Sequence, residues 1–173
     1  MNPSTGNVRT SDFASSYLPA VLTQSRVESG REIYEQNRHR VYSLAFWMTD
    51  NELAAEELMT NAFCGAFARN AQPTADDIDR ALIAELRNNF DLQRLTLHCA
   101  PCERVLSVRR NTLRVDLERA VVQLPSAEKL MFLLHDVEGY DHGRIARLLG
   151  STQDDSRRGV HEARLRIREL LAS

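Results

Sequence analysis

Apolar residues recur at intervals of three and four along most of this chain, the spacing that places side chains on one face of an α-helix. In the N-terminal half, the pattern predicts three helices. Their apolar positions, helix by helix, are Val41, Leu44, Ala45 and Met48; Leu58, Ala62, Phe63, Ala66 and Phe67; and Ile78, Leu82, Ile83 and Leu86. Thr49 and Glu52 have the spacing of a capping box, which predicts the start of the second helix, and Thr74 can cap the third.

The C-terminal half has the same spacing and predicts four more helices. The fourth covers about residues 103–123, Ser126 caps the fifth, Asp141 caps a short sixth, and Thr152 with Asp155 opens the seventh. The apolar positions of the fourth to sixth helices are Val105, Val108, Leu113, Leu117 and Val121; Leu130, Leu133, Leu134 and Val137; and Ile145, Ala146, Leu148 and Leu149.

No stretch predicts a pair of strands, so we expect an all-α fold of two small helical lobes joined by a linker. The predicted order is a flexible N-terminal tail rich in Ser, Thr, Asn and Pro (1–28), a first helical domain (29–90), a linker with the start of a connecting helix (91–112) and a second helical domain (113–173).

Composition limits the classes of function. The chain has 173 residues, of which 43% are apolar and 27% charged, and its net charge is −2. No apolar run reaches the ~18 residues of a membrane span, and the N-terminus lacks the order of a secretory signal, so we expect a cytoplasmic protein without membrane contact. Because the net charge is close to neutral, nucleic-acid binding would have to come from a local basic surface. The basic residues are 21 arginines and one lysine, Lys129, which reflects either a GC-rich genome or a need for bidentate contacts with phosphate or carboxylate.

The sixth and seventh helices, with a three-residue turn at Gly150 between them, form a helix-turn-helix pattern. At 100° per residue, one stripe of the seventh helix consists of Arg157, His161, Arg164 and Arg168. Residues 156–173 hold five arginines and two glutamates, a local charge of +3. Such a stripe suits contacts with phosphates and base edges in a major groove. The alternative is a solvated helix face whose basic residues favour the helix dipole.

Two ordered stretches resemble the sigma-70 family, in its extracytoplasmic-function (ECF) type. In the C-terminal half the resemblance rests on Leu124-Pro125, Asp136-Val-Glu-Gly139, Ile145-Ala146, Leu149-Gly150 and His161-x-Ala-Arg-Leu165. In the N-terminal half it rests on a helix, an Asp-containing turn, an Ala-Glu-acid-Leu run and a Phe within residues 32–70. The resemblance implies a region 2-like first lobe and a region 4-like second lobe. It also implies a non-enzymatic protein that binds core RNA polymerase and promoter DNA, with no cofactor, metal or small-molecule substrate.

The resemblance assigns candidate residues to three surfaces. The polymerase-binding candidates are Asp50, Glu56, Glu57, Thr60 and Asn61. The candidates for contact with the −10 promoter element are Arg87, Asn88, Asn89 and Phe90. The DNA-binding candidates of the second lobe, which would contact the −35 element, are Thr152, Gln153, Arg157, Arg158, His161, Arg164 and Arg168. Among the positions that differ from the family pattern, Ser156 replaces a buried valine, and Gly159 replaces the usual recognition arginine.

Other interpretations stay open at this point. The same fold could serve as an interaction module that binds an anti-sigma factor without starting transcription, or as a stand-alone helix-turn-helix regulator. Cys99 and Cys102, with His98 and Cys64, could form a zinc or redox site, or they are ordinary cysteines of a reducing compartment. An acid–base catalytic site at the acidic and histidine residues near position 138 is disfavoured because no nucleophile accompanies them.

Overall fold

The computed structural model describes residues 14–92, 95 and 113–172, with side chains from Val27 onward. Within these residues the chain is helical and has no strand, as the sequence predicts. The helices are α1 (Ala14–Thr49), α2 (Glu52–Arg69), α3 (Ala75–Asn89), α4 (Arg114–Val122), α5 (Ser126–Phe132), α6 (His142–Leu149) and α7 (Gln153–Ala172), with a π-helical segment, Leu133–Val137, directly after α5.

The first lobe is formed by α1, α2 and α3, which pack on one another through the predicted apolar faces. Twelve of the thirteen predicted core positions are buried, and Phe67 is partly buried against them. The first helix is longer than the sequence pattern indicates. It begins at Ala14, so residues 14–28, which the sequence analysis places in a tail, belong to α1, while residues 1–13 lie outside the described part of the chain.

The second lobe packs α7 against α4, α5 and α6. Its core includes Leu130, Leu133, Leu134 and the four predicted positions of α6. The prediction of a core position is wrong for three residues: the exposed fractions of Leu113, Leu117 and Val137 are 65%, 42% and 55%. Leu113 directly precedes α4 and Leu117 lies on it; the buried residues of α4, which packs against α7, are Ala120 and Val121 instead. Val137 ends the π-helical segment, whose wider turn rotates it away from the face that a regular α-helix predicts.

Local capping signals set most helix ends. Thr74 and Asp77 form the capping box of α3, Asp141 caps α6, and Gly150 ends α6 with a φ of 64°. Two predicted caps are wrong. The start of α2 is capped by Asn51, whose side chain accepts from the Ala54 N–H at 3.0 Å, rather than by the pair Thr49 and Glu52. Ser126 is the first residue of α5 and makes no capping hydrogen bond.

Candidate nucleic-acid interface

The second helix of the helix-turn-helix, α7, is fixed at its start by a capping box. The Thr152 hydroxyl accepts from the Asp155 N–H at 3.0 Å, and the Asp155 carboxylate accepts from the Thr152 N–H at 3.2 Å. The hydrogen bonds with Thr152 lower the pKa of Asp155. The exposed residues of this helix and its cap include all seven DNA-binding candidates: Thr152, Gln153, Arg157, Arg158, His161, Arg164 and Arg168.

Two of the positions of α7 that differ from the family pattern, Ser156 and Gly159, face inward. Ser156 is fully buried, and its hydroxyl lies 3.0 Å from Nδ1 of His142 on α6. Gly159 is also buried, and a Cβ atom there would lie 2.2 Å from Sδ of Met131. An arginine at position 159 would therefore meet α5 rather than DNA, and the expectation that this position belongs to the DNA-reading face is wrong. The glycine lets α7 approach α5 closely.

Carboxylates within the lobe already bind two of the exposed arginines. Arg157 pairs with Asp154 at 2.8 Å on the same helix. Arg164 makes a bidentate pair with Asp136, with distances of 2.9 Å and 2.6 Å. The hydrogen bonds from Arg164 are the main reason that the pKa of Asp136 is lowered, and His135 adds to the effect. DNA phosphates would have to compete with these carboxylates.

Two histidines stack beside the helix-turn-helix. The rings of His135 and His142 lie 4.4 Å apart between centroids, which joins the π-helical segment to α6. Burial lowers the pKa of His142, and the positive charges of His135, Arg157 and Arg164 lower it further. The neutral ring is therefore favoured beside Ser156, where it helps to set the angle between α6 and α7.

The polymerase-binding candidates lie on the exposed side of α2 and the turn before it. Asp50, in that turn, has a positive φ of 51°. We call Asp50, Glu52, Glu56 and Glu57 the acidic ridge; all four are exposed. Thr60 and Asn61 continue the surface one turn further along α2 and are exposed as well.

A cleft lies on each side of α2. One cleft, of about 340 Å³, separates α1 from α2 and includes Glu56 and Thr60 in its lining. The other, of about 430 Å³, lies between α2 and the end of α3. Its lining combines the polymerase-binding candidates Glu57 and Asn61 with the −10 candidates Asn88, Asn89 and Phe90. The structure thus brings together two sets that the sequence analysis keeps apart.

Arg87, the fourth −10 candidate, is not part of this cleft. Its guanidinium donates to the backbone carbonyl of Leu149, the last residue of α6, at 2.8 Å. A cation at this position compensates the unpaired carbonyls at the C-terminus of α6. The end of α3 therefore points its amides to one side and its arginine towards the second lobe.

Sequence reasoning missed a polar cluster between the two lobes, which we call the Asp79 cluster: Arg40, Asp76, Asp79, Tyr140 and Arg144. Asp79 is 2% exposed. Its carboxylate accepts hydrogen bonds from the Arg40 guanidinium, from the Tyr140 hydroxyl at 2.7 Å and from Arg144 at 3.1 Å. Asp79 directly follows the core residue Ile78 and precedes Leu82 and Ile83 by three and four positions. An acidic residue within the apolar face of α3 was therefore the signal in the sequence that could have revealed the cluster.

The cluster spans three elements and both lobes. Arg40 comes from α1 and also donates to the Tyr140 hydroxyl at 2.8 Å. Arg144, near the start of α6, pairs with Asp76 at 2.6 Å and lies 3.7 Å above the centre of the Tyr140 ring. Burial and the hydrogen bond to Asp79 raise the pKa of Tyr140, so its hydroxyl keeps its proton and remains a donor. The hydrogen bond and the charge of Asp79 outweigh burial and raise the pKa of Arg40.

The described part of the chain contains no group of three or more His, Cys, Asp and Glu side chains able to hold a metal ion. Cys99 and Cys102 lie outside the described residues, and Cys64 on α2 is exposed. Among the helices described, none combines the length and the apolar character that crossing a membrane requires.

The fold and the surface of α7 define a two-lobed, all-helical protein with a C-terminal helix-turn-helix. Residues 114–167, from the start of α4 into α7, match the family model for sigma-70, region 4. The chain is 26% identical over 165 residues to the ECF RNA polymerase sigma factor SigE of Mycolicibacterium smegmatis. That alignment covers 86% of this chain, and the chain spans 64% of the length of the relative. The chain is thus similar to sigma-70 region 4 in its second lobe and, over most of its length, to an ECF RNA polymerase sigma factor.

Proposed function

We propose that this protein is an ECF-like sigma factor that binds core RNA polymerase and directs transcription from particular promoters. The observation that carries the proposal is the exposed arginine face of α7, within a segment that matches sigma-70 region 4. The relative from M. smegmatis is named as an RNA polymerase sigma factor, which supports the same function. The proposal places the protein in the cytoplasm with core polymerase and requires no catalytic residue, metal, cofactor or small-molecule substrate.

In this proposal α7 is the recognition helix. Thr152 and Gln153 lie at its N-terminal end, where the helix dipole and free N–H groups favour a phosphate. The arginines along the exposed face contact phosphates or base edges of the −35 element. Arg168 and Arg158 are exposed and occupy different turns, so the contact surface extends along the helix.

The acidic ridge is the proposed contact with core polymerase. Exposed carboxylates spaced along one side of α2 complement a basic partner surface, which favours fast association and a defined orientation. The larger cleft beside the ridge adds the amides of Asn61, Asn88 and Asn89 to this surface. We assign the amides of Asn88 and Asn89 and the half-buried ring of Phe90 to the contact with the −10 strand, since aromatic and amide groups suit unpaired bases.

The polymerase contact is tested by charge reversal. Glu57→Arg should abolish copurification with core RNA polymerase at low salt, because it places a cation against a basic partner. Glu32→Arg is the matched control: Glu32 is an exposed glutamate of α1, away from the ridge, and its reversal should leave copurification intact. Equal binding by both variants, or no binding by the wild-type protein, would reject the assignment.

The DNA contact is tested by removing one arginine. Binding to a promoter fragment is measured for the wild-type protein and for Arg168→Ala, each in complex with core polymerase. Arg168→Ala should bind more weakly, and the slope of log affinity against log salt concentration should fall in magnitude by about 1, as expected for one lost phosphate contact. Arg119→Ala on α4 removes an exposed arginine outside the stripe and should leave the slope unchanged. An unchanged slope for Arg168→Ala would remove α7 from the DNA interface.

A second function is favoured by the carboxylates around α7. Asp154 and Asp155 lie at the helix end nearest a phosphate, and Asp136 binds Arg164. These charges weaken DNA contact and suit a sigma-like module that binds an anti-sigma factor without starting transcription. Run-off transcription with core polymerase separates the two functions: specific transcripts support the sigma factor, and polymerase binding without transcripts supports the module.

A further inference from the structure

The bidentate pair between Asp136 and Arg164 leaves part of the guanidinium free. The Asp136 carboxylate accepts from Nε of Arg164 at 2.9 Å and from Nη2 at 2.6 Å. A guanidinium has five N–H groups in a planar fork, and this pair uses two of them. Both N–H groups of Nη1 and one of Nη2 remain, and the Arg164 side chain is 50% exposed. The free end of the guanidinium can therefore make a second bidentate contact with an anion.

Asp136 is itself held by contacts that involve three elements of the second lobe. It lies in the π-helical segment, and Nδ1 of the adjacent His135 is 2.7 Å from its carboxylate. The His135 ring stacks on His142 of α6, whose Nδ1 lies 3.0 Å from the buried hydroxyl of Ser156 on α7. A chain of contacts thus leaves α7 at Ser156 and returns to it at Arg164. This chain restricts where the Asp136 carboxylate, and with it the guanidinium, can lie.

Holding the guanidinium favours its binding to a phosphate. The shared hydrogen bonds lower the pKa of Asp136 and raise the pKa of Arg164, so both groups are charged at neutral pH. A free arginine loses rotamer freedom when it binds, whereas an arginine held by a carboxylate has lost that freedom already on folding. The opposing effect is the repulsion between Asp136 and the phosphate, which water and salt screen across the width of the guanidinium.

The place of Arg164 on α7 indicates which part of DNA it meets. A recognition helix contacts base edges with its N-terminal residues. Arg164 lies about 16 Å beyond the first residue of α7, at 1.5 Å per residue. A residue so far along the helix is closer to the backbone of the duplex than to the base edges in the groove. A phosphate is therefore the anion that suits the free end of Arg164.

From these observations we infer that Asp136 is a positioning residue, which holds Arg164 as a preformed fork for a phosphate of the DNA backbone. The inference rests on the proposed function of α7 as the recognition helix. Arg164 makes the contact, and Asp136 acts through it. Asp136 thus supports DNA binding, and the carboxylates of α7 that oppose it are Asp154 and Asp155. Asp154 differs from Asp136 because it is 81% exposed and binds its arginine through one nitrogen, at 2.8 Å.

The sign of a charge-neutralising substitution tests the inference. Phosphate contacts carry no sequence information, so the probe is a fluorescent duplex of mixed sequence and about 30 base pairs, and its anisotropy reports binding by the full chain. Asp136→Asn removes a negative charge, and charge alone predicts tighter binding. We expect binding about three- to tenfold weaker instead, because Arg164 must then be ordered by the DNA. Asp154→Asn, the matched control, removes the same charge and should leave binding unchanged or tighter.

A double-substitution cycle separates positioning from a merely structural role. Arg164→Ala should reduce the slope of log affinity against log salt concentration by about 1 in magnitude, as for one lost phosphate contact. Adding Asp136→Asn to Arg164→Ala should cause no further loss of affinity, and Asp136→Glu, which keeps the carboxylate, should recover most of it. A further loss in the double variant would show that Asp136 acts through the fold and would overturn the inference. Binding by Asp136→Asn as tight as that of the wild-type protein would do the same.

A second variant serves if Asp136→Asn folds poorly. Arg164→Lys keeps the positive charge but replaces the fork by a single ammonium group, so it should bind the duplex at least about threefold more weakly. Equal binding by Arg164→Lys and the wild-type protein would overturn the inference, as would the absence of wild-type binding at about 20 mM salt, where phosphate contacts are strongest. Copurification with core polymerase tests the proposed function separately, so it can hold when this inference fails.

Discussion

The interiors of the two lobes and the contact between them are built from different chemistry. Within the lobes, side chains such as Leu82 and Ile145 are almost fully buried among other apolar residues. Between the lobes, the most buried carboxylate, Asp79, binds two arginines and a tyrosine. Burial of apolar area stabilises the fold without requiring particular partners, whereas buried charged groups are stable only when they are paired with specific partners. The difference indicates that the interior tolerates exchange among apolar residues of similar size, whereas the Asp79 cluster depends on each of its members.

The largest expected effect comes from shortening a buried apolar side chain inside a lobe. Ile145→Ala should lower the free energy of unfolding by about 2–5 kcal/mol, because it leaves a cavity in a core that cannot rehydrate without unfolding. Urea denaturation followed by circular dichroism measures the change. Val115→Ala, at a position that is 50% exposed, is the control and should cost far less. Similar costs for the two variants would contradict the assignment of Ile145 to a tightly packed core.

An intermediate effect is expected at the contact between the lobes. Tyr140→Phe removes the hydroxyl that joins Asp79 to Arg40 and should lower the free energy of unfolding by about 1–2 kcal/mol. Urea denaturation followed by circular dichroism measures the change. A loss as large as that of Ile145→Ala would show that this polar contact matters as much to stability as the apolar interior.

The smallest effect is expected at Glu138, beside the Asp79 cluster. Burial raises the pKa of this carboxyl, and the negative charge of Asp79 raises it further, although Arg40 opposes them. A carboxyl whose folded pKa is raised stabilises the protein below its unfolded pKa of about 4.3, and this contribution is lost as the pH rises through the folded value. Glu138→Gln should therefore stabilise the fold at pH 7 by about 0.5 kcal/mol or less, with partial exposure screening the effect.

Urea titrations of the wild-type protein and Glu138→Gln at pH 7 and pH 4 measure this difference. The gain should be present at pH 7 and smaller at pH 4, because the raised pKa favours the protonated carboxyl in the folded protein as the pH falls. A gain of the same size at pH 4 would mean that the carboxylate charge is not its cause. A small difference in the free energy of unfolding between the wild-type protein and Glu138→Gln would also fit a carboxyl that is partly solvated, since a carboxyl in the apolar interior would give a much larger difference.

The class of fold and most helix boundaries could be predicted from the sequence because their signals are local. The caps at Thr74, Asp141 and Thr152 bind backbone groups within three residues, so no distant segment decides them. The sequence did not show that Asn51 rather than Thr49 caps α2, since the choice between two nearby polar residues depends on the backbone of the turn. The exposed arginine stripe of α7 also follows from helical period alone.

Other features were decided only when the elements packed. A helical period shows which residues share a face, but not how much of that face a neighbour covers, and so Leu113 and Leu117 are exposed. The sequence shows a glycine at position 159 but gives no reason for it. The reason is the close approach of Met131, which only the packed structure shows.

The sequence by itself thus determined the helical segments and the basic exposed face of α7, because these depend on period and on neighbours along the chain. Tertiary structure alone decided that Asp79 meets partners 39, 61 and 65 residues away, and that Arg87 faces the second lobe instead of the cleft. The physical reason is that hydrogen bonds between distant segments depend on the relative placement of whole helices, which no local pattern specifies.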